Sequence, residues 1–285
     1  MEFTMYTGFA EGLAMNGIEK TVGLAAETGF SSVEILEYLI PGRELVVTDL
    51  AFASKIKREL DRHGLGVACY TAYANIWKEQ TSQQDFHRAL DNAAELGAPY
   101  FQHTLLPWGK PPVDAPSFED GIKLAVETAI KVAEYAKPLG ITCIYEDQGI
   151  YTNGVSGFGD FYWEVKKNCA NVGICGDFAN IIEVAEKPED FLSAFRGEIA
   201  HVHIKDCKYL SDDFLPDKTC WQDKDNNWMC NAEIGKGIVD MKSCLKVLKE
   251  SGYQGAYALE DALYEPYSKS AQQVMEYLRK TMSEV

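Results

Sequence analysis

Short apolar runs alternate with longer amphipathic stretches along this chain, and one boundary between them recurs. A polar, helix-like stretch ends, a glycine follows, and an apolar run of strand length begins. This happens at Glu27-Thr28-Gly29-Phe30, Arg62-His63-Gly64-Leu65, Glu95-Leu96-Gly97-Ala98, Pro138-Leu139-Gly140-Ile141 and Glu250-Ser251-Gly252-Tyr253. Glycine tolerates the left-handed conformation that closes a helix, and the run after it has the length of a buried strand. The steps from Gly29 to Gly64, Gly97 and Gly140 each have the size of a βα unit. The pattern predicts strands over Phe3–Tyr6, Ser32–Leu36, Gly66–Tyr70, Pro99–His103, Ile141–Tyr145, Val172–Cys175, Ile199–Ile204 and Ala256–Leu259. Helical patterns such as Gln84–Leu96 and Phe118–Lys137 lie between them. Strands that alternate with helices give a parallel sheet, and eight such units close naturally into an α/β (β/α)8 (TIM) barrel. A doubly wound sheet is the competing architecture, but no G-x-G-x-x-G follows the first strand.

Two segments break the rhythm. Leu105–Ser117 is rich in proline and glycine and carries Trp108, and Lys208–Lys236 is a polar insertion after strand seven that carries Trp221 and Trp228. Long loops at barrel ends are usually functional or mobile. No linker or charge block divides the chain, so residues 1–285 are expected to form one barrel domain with an insertion at about 208–236. Composition is that of a soluble globular protein, 46% hydrophobic and 25% charged. The net charge of −16 argues against nucleic acid or an anionic membrane as partner. Of eight cysteines no pair is spaced C-x-x-C, and Cys69, Cys143 and Cys175 fall in apolar runs where they act as small hydrophobes. The segment Met1–Tyr6 has no basic region followed by an apolar stretch, and no apolar run is long enough to span a bilayer. The expectation is a cytoplasmic protein with reduced thiols.

The acidic residues fall where this architecture makes them meet. Ile141–Tyr145 runs into Glu146 and Asp147, Ile174-Cys175-Gly176 into Asp177, His201-Val202-His203-Ile204 into Lys205 and Asp206, and Tyr257-Ala258-Leu259 into Glu260. The C-terminal ends of barrel strands converge on one mouth, where active sites sit. Any one such acid can be an ordinary solvated loop residue, but polar groups after four successive strands are harder to assign that way. Converging carboxylates without a cation would force some to take protons. One divalent metal resolves the conflict, and three oxygens with one imidazole suit Mn²⁺, with Mg²⁺ or Co²⁺ as alternatives. His201 and His203 share one face of their strand, and a satisfied core histidine is the plainer role for His201. The candidate substrate contacts are Lys205, His103, Asn180, Trp77 and Trp108, each with a structural alternative as an ion-pair, core or packing residue. Gly235-x-Gly237 has the look of a phosphate cradle, but a tight turn before Asp240 as a helix N-cap explains it as well.

Together these pieces resemble the xylose isomerase-like barrel superfamily, in its branch of sugar and sugar-phosphate isomerases and epimerases, including ketose 3-epimerases. The matching segments are Tyr145-Glu146, Cys175–Asn180, His201–Asp206, Ile234–Asp240 and Gly255–Glu260, with the likeness strongest over residues 141–262. The resemblance implies that Glu146, Asp177, His203 and Glu260 bind the metal. It also implies that Glu146 and Glu260 move protons next to a substrate carbonyl, through an enediolate, on a small carbohydrate. Some relatives have a histidine where this chain has Asn180, so sugar specificity does not carry over. Such relatives are commonly dimers, which leaves a homo-oligomer open. The alternatives are a metal-dependent lyase or dehydratase, including the catalytic subunit of a carbon-glycoside-cleaving enzyme with a small partner subunit, an endonuclease IV-like DNA-repair enzyme, and a non-catalytic sugar-binding protein. Five histidines and the negative charge count against the repair enzyme.

Overall fold

The structure is a computed structural model that describes residues 1–40, 49–106, 113–149, 152–211, 216, 220–260 and 267–285. The barrel strands are β1 (Phe3–Met5), β2 (Ser32–Tyr38), β3 (Gly66–Tyr73), β4 (Tyr100–His103), β5 (Thr142–Glu146), β6 (Val172–Asp177) and β7 (Ile199–Ile204). An inserted antiparallel sheet follows, made of β8 (Cys207–Tyr209), β9 (Cys220–Gln222) and β10 (Trp228–Asn231), and β11 (Tyr257–Leu259) completes the barrel. All eight predicted strands are present. They pair in the closed order β1-β11-β7-β6-β5-β4-β3-β2, and every barrel pair is parallel.

The helices cover the outside of the barrel. They are α1 (Thr7–Asn16), α2 (Ile18–Thr28), α3 (Leu50–His63), α4 (Gln83–Leu96), α5 (Phe118–Ala136), α6 (Val155–Asn168), α7 (Pro188–Ala194), α8 (Met241–Glu250) and α9 (Tyr267–Ser283). Their starts are chemically marked. Asp49, Ser82, Ser117 and Asp240 each accept a hydrogen bond from the backbone of the first helical turn, a contact worth about 1 kcal/mol. Two of the predicted boundary glycines show why the residue is needed: Gly29 (φ 98°) and Gly97 (φ 73°) close α2 and α4 in the left-handed conformation. Each helix buries an apolar stripe against the strands, as Phe86, Leu90, Ala93 and Leu96 of α4 do. No helix among the described residues is long and apolar enough to cross a membrane.

Inside the barrel, alternate residues of each strand point inward. Cys69, Ile144 and Cys175 form an apolar cluster there, and two residues further along the same strands come Thr71, Glu146 and Asp177. The barrel interior therefore changes from apolar to polar toward the C-terminal ends of its strands. The insertion differs from a plain loop, and the expectation of reduced thiols is corrected at one point. Cys220 and Cys230 face each other across β9 and β10 and form a disulfide, while the other six cysteines are free and buried.

Candidate active site

Glu146 and Asp177 are the last residues of β5 and β6, His203 lies in β7, and Glu260 directly follows β11. Their ligating atoms all lie within 4.8 Å of one another. Strand period explains the convergence, because each shares its inward face with a buried residue two positions earlier: Ile144, Cys175, His201 and Ala258.

Each side chain is held by neighbours. Asp177 Oδ1 accepts from the amides of Ala179 (2.7 Å) and Asn180 (2.6 Å), which fixes the carboxylate plane. Its Oδ2 is buried without a partner. Gln102 Nε2 donates to Glu146 Oε2 at 3.1 Å. Lys205 Nζ donates to Asn180 Oδ1 (3.0 Å) and pairs with Glu260 Oε1 (2.9 Å), and it sits 5.7 Å from the centre of the Trp221 ring. His203 Nδ1 is 2.9 Å from Glu146 Oε1 and 3.4 Å from Glu260 Oε2. Its Nε2 is 3.0 Å from Glu34 Oε1, and Tyr6 stacks on the ring at 4.7 Å.

Charge is crowded here. Burial raises Glu260, but Lys205 and His203 outweigh it and bring the carboxyl down to about 2. Burial, together with the charges of Glu260 and Glu146, pushes Asp177 up to about 7, against the pull of Lys205. Asp147 is held well above the carboxylate range, first by burial and then by Asp177 and Glu146. Glu183 also rises to about 7 through burial, opposed by Lys205 and reinforced by Glu146. Lys205 and His203 both resist the effect of burial because the surrounding carboxylates favour their charged forms, with the Cys175 thiol adding to this at His203. Two side-chain cations thus face more acidic groups than they neutralise. The unpartnered Asp177 Oδ2 and the mixed set of carboxylates and imidazole fit a divalent cation.

The other predicted residues divide. Asn180 and Lys205 belong to the site through their mutual hydrogen bond. His103 is buried at the end of β4 among Phe86, Phe101 and Tyr145. Neither of its ring nitrogens makes a hydrogen bond of standard geometry, and burial lowers its pKa to about 3. With Gln102, Gln148, Thr152 and Glu146 it lines a cavity of about 30 Å³ beside the ligand cluster. Trp77 lies under Lys78, whose ammonium is 4.4 Å from the ring centre and pairs with Asp114. Trp108 lies outside the described residues. His201 donates to Glu34 and acts as a satisfied interior histidine. The Gly235-x-Gly237 cradle is filled from within: Asp206 accepts from the amides of Gly235 (3.0 Å) and Gly237 (2.8 Å), and Asp240 caps α8.

Sequence reasoning missed Glu34, Gln102, Glu183 and the placement of Trp221. A signal for Glu34 was present, since a carboxylate between Val33 and Ile35 in a fully buried strand needs a partner.

The xylose isomerase-like TIM barrel family model matches residues 22–281. The chain belongs to this family. The inosose isomerase of Halalkalibacterium halodurans is 27% identical over 161 residues, which is 56% of this chain and 53% of that protein. This chain's match therefore spans about half the length of that curated relative. The crystal structure of D-allulose 3-epimerase from Methylomonas sp. superposes with a TM-score of 0.74 at 18% identity, covering 99% of this chain and 98% of that one. The IOLI protein, whose structure holds a zinc atom, gives 0.69 at 17% identity, with 100% and 97% covered. At these identities the two structural likenesses carry the fold alone.

Proposed function

We propose that this chain is a metal-dependent sugar isomerase or epimerase that moves a proton next to the carbonyl of a small carbohydrate. The observation that carries the reading is the meeting of Glu146, Asp177, His203 and Glu260 within 4.8 Å at the barrel mouth, with Asp177 Oδ2 left unpartnered. These four residues would hold one divalent ion, and their oxygens and imidazole suit Mn²⁺, with Mg²⁺ and Co²⁺ as alternatives. When bound, the ion supplies positive charge for the oxygens of an enediolate. The names of the relatives, inosose isomerase and D-allulose 3-epimerase, support a ketone-bearing polyol.

The chain's own residues have separable parts. Glu146 and Glu260 each have a second carboxylate oxygen that could take a proton when the other binds the ion, Glu146 Oε2 beside Gln102 and Glu260 Oε1 beside Lys205. Lys205, fixed between Asn180 and Glu260, offers a donor to a substrate oxygen. The cavity beside Glu146 has room for a water or one hydroxyl and presents Gln102 Oε1, Gln148 Oε1 and a neutral His103. No lysine or arginine lines it among the described residues, so it suits an uncharged hydroxyl rather than a phosphate.

The test is a screen of ketoses and inosose-type cyclic ketones with Mn²⁺, read as deuterium uptake from solvent. Glu146→Gln and Glu260→Gln should each lose about 10²–10⁴ in turnover while still binding metal. Wild-type rates in both variants would overturn the two-glutamate mechanism.

A further inference from the structure

We infer that Glu34, on the opposite side of the barrel interior from the proposed ligands, is a positioning residue that presents His203 Nδ1 to the metal. The inference rests on the metal reading above and adds a residue to it.

Glu34 is fully buried in β2 and reaches across to β7. It collects three hydrogen bonds. Thr71 Oγ1 and His203 Nε2 (3.0 Å) meet its Oε1, and His201 Nε2 meets its Oε2 at 2.8 Å. A carboxylate is an acceptor only, so each of these partners donates to it. A metal-binding imidazole is neutral and carries a single N–H. If that N–H stays on Nε2 and donates to Glu34, Nδ1 is left with its lone pair. Nδ1 is the nitrogen that faces Glu146 and Glu260. Hydrogen bonding at one ring nitrogen thus decides which form the other presents, the usual work of a carboxylate behind a metal-bound histidine.

The geometry leaves the ring little freedom. Tyr6 stacks on it at 4.7 Å, so its plane is set as well as its tautomer. Thr71 and His201 fix the carboxylate in turn, so it cannot swing away from Nε2. His201 packs edge-on against the His203 ring, with 5.4 Å between ring centres, and its hydrogen bond goes to Glu34. Its part is to hold Glu34.

A merely structural role makes a different forecast. If Glu34 only satisfies two buried histidines, replacing it should change metal-free stability and leave metal affinity alone. The experiment is calorimetric titration of purified protein with Mn²⁺ and with Zn²⁺, for wild type, Glu34→Gln and Glu34→Met. Methionine keeps the length and removes every acceptor oxygen, which covers the case in which glutamine still accepts through its carbonyl. The expected result is a 10- to 100-fold weaker Kd in Glu34→Met, with a smaller or equal loss in Glu34→Gln. Should a variant fail to fold, histidine ¹⁵N spectra of the Zn²⁺-loaded wild type decide: the proton must sit on His203 Nε2 and exchange slowly with solvent. An unprotonated or rapidly exchanging Nε2 overturns the assignment. Wild type that binds neither ion overturns the metal reading and this inference with it. Tight binding by wild type that both variants retain unchanged overturns the role of Glu34 alone.

Discussion

At the scale of single residues, the site is legible in the sequence where a charged group ends an apolar run. Glu146, Asp177 and Glu260 stand at such ends, and a barrel brings strand ends together. Glu34 has no such position. It lies inside a strand, and its histidine partners are 167 and 169 positions away, so only closure of the barrel reveals their contact. His103 was visible as a polar strand end, but its neutral, caged state was not. That state has a measurable consequence. Its pKa is about 3 in the folded chain and 6.5 in an unfolded one. Above pH 6.5 both states leave it neutral and it does not affect the balance. As pH falls below 6.5 the unfolded chain takes up a proton that the native protein refuses, so stability is lost down to about pH 3. Between pH 7 and pH 5 the loss comes to about 2 kcal/mol. Asp177 and Glu183, raised to about 7, act in the opposite sense, so only a difference between proteins isolates the histidine. Urea unfolding of His103→Gln at the two pH values should show a wild-type-minus-variant stability gap that narrows by about 2 kcal/mol at the lower pH. An unchanged gap would mean that His103 is not held neutral.

At the scale of elements, hydrophobic periodicity located every barrel strand, because long helices and repeated glycine stops leave few other readings. The insertion was legible only as a polar interruption. Strands β8 to β10 are as short as some barrel strands but mix polar with apolar residues and follow no glycine stop, so no apolar run marks them, and their sheet is pinned by a disulfide between cysteines ten positions apart. Sequence distance also hid what that sheet carries. Trp221 in β9 brings its ring to 5.7 Å from Lys205 Nζ, whereas Trp228 in β10 is exposed. A cation near an aromatic face gains about 0.5–1 kcal/mol at a partly exposed site. Beside Lys205, the ring would flank a substrate oxygen bound there. Trp221→Ala should therefore raise KM about 3- to 10-fold through looser substrate and a freer Lys205, while kcat changes less, since the ring's contact is with Lys205. Steady-state kinetics with whichever ketone shows turnover will check this. A fall in kcat at constant KM would instead place Trp221 in the chemical step.

At the scale of the whole molecule, charge and stability meet at the barrel mouth. The chain carries a net charge of −16, and part of that excess is concentrated in a buried cluster that, among the described residues, Lys205 and His203 offset. A protein built this way spends stability at its site, and the raised pKa of Asp177 records the strain. A divalent cation binding only to the folded state returns some of it. Its contribution is RT ln(1 + [L]/Kd), about 2.7 kcal/mol when the ion is at 100 times Kd. For a chain of this size that amounts to a rise of about 4–5 °C in the melting midpoint. The expected experiment is a thermal melt of chelator-treated protein with and without Mn²⁺ at constant ionic strength, so that general screening of the acidic surface is held fixed. Asp177→Ala and His203→Ala should abolish the rise, each by removing a ligand. Asp114→Ala, on a solvent-exposed ion pair with Lys78, should keep it. The same upward shift in all three variants would show that the ion acts on the acidic surface at large. A shift confined to wild type and Asp114→Ala would place it among the four strand-end residues.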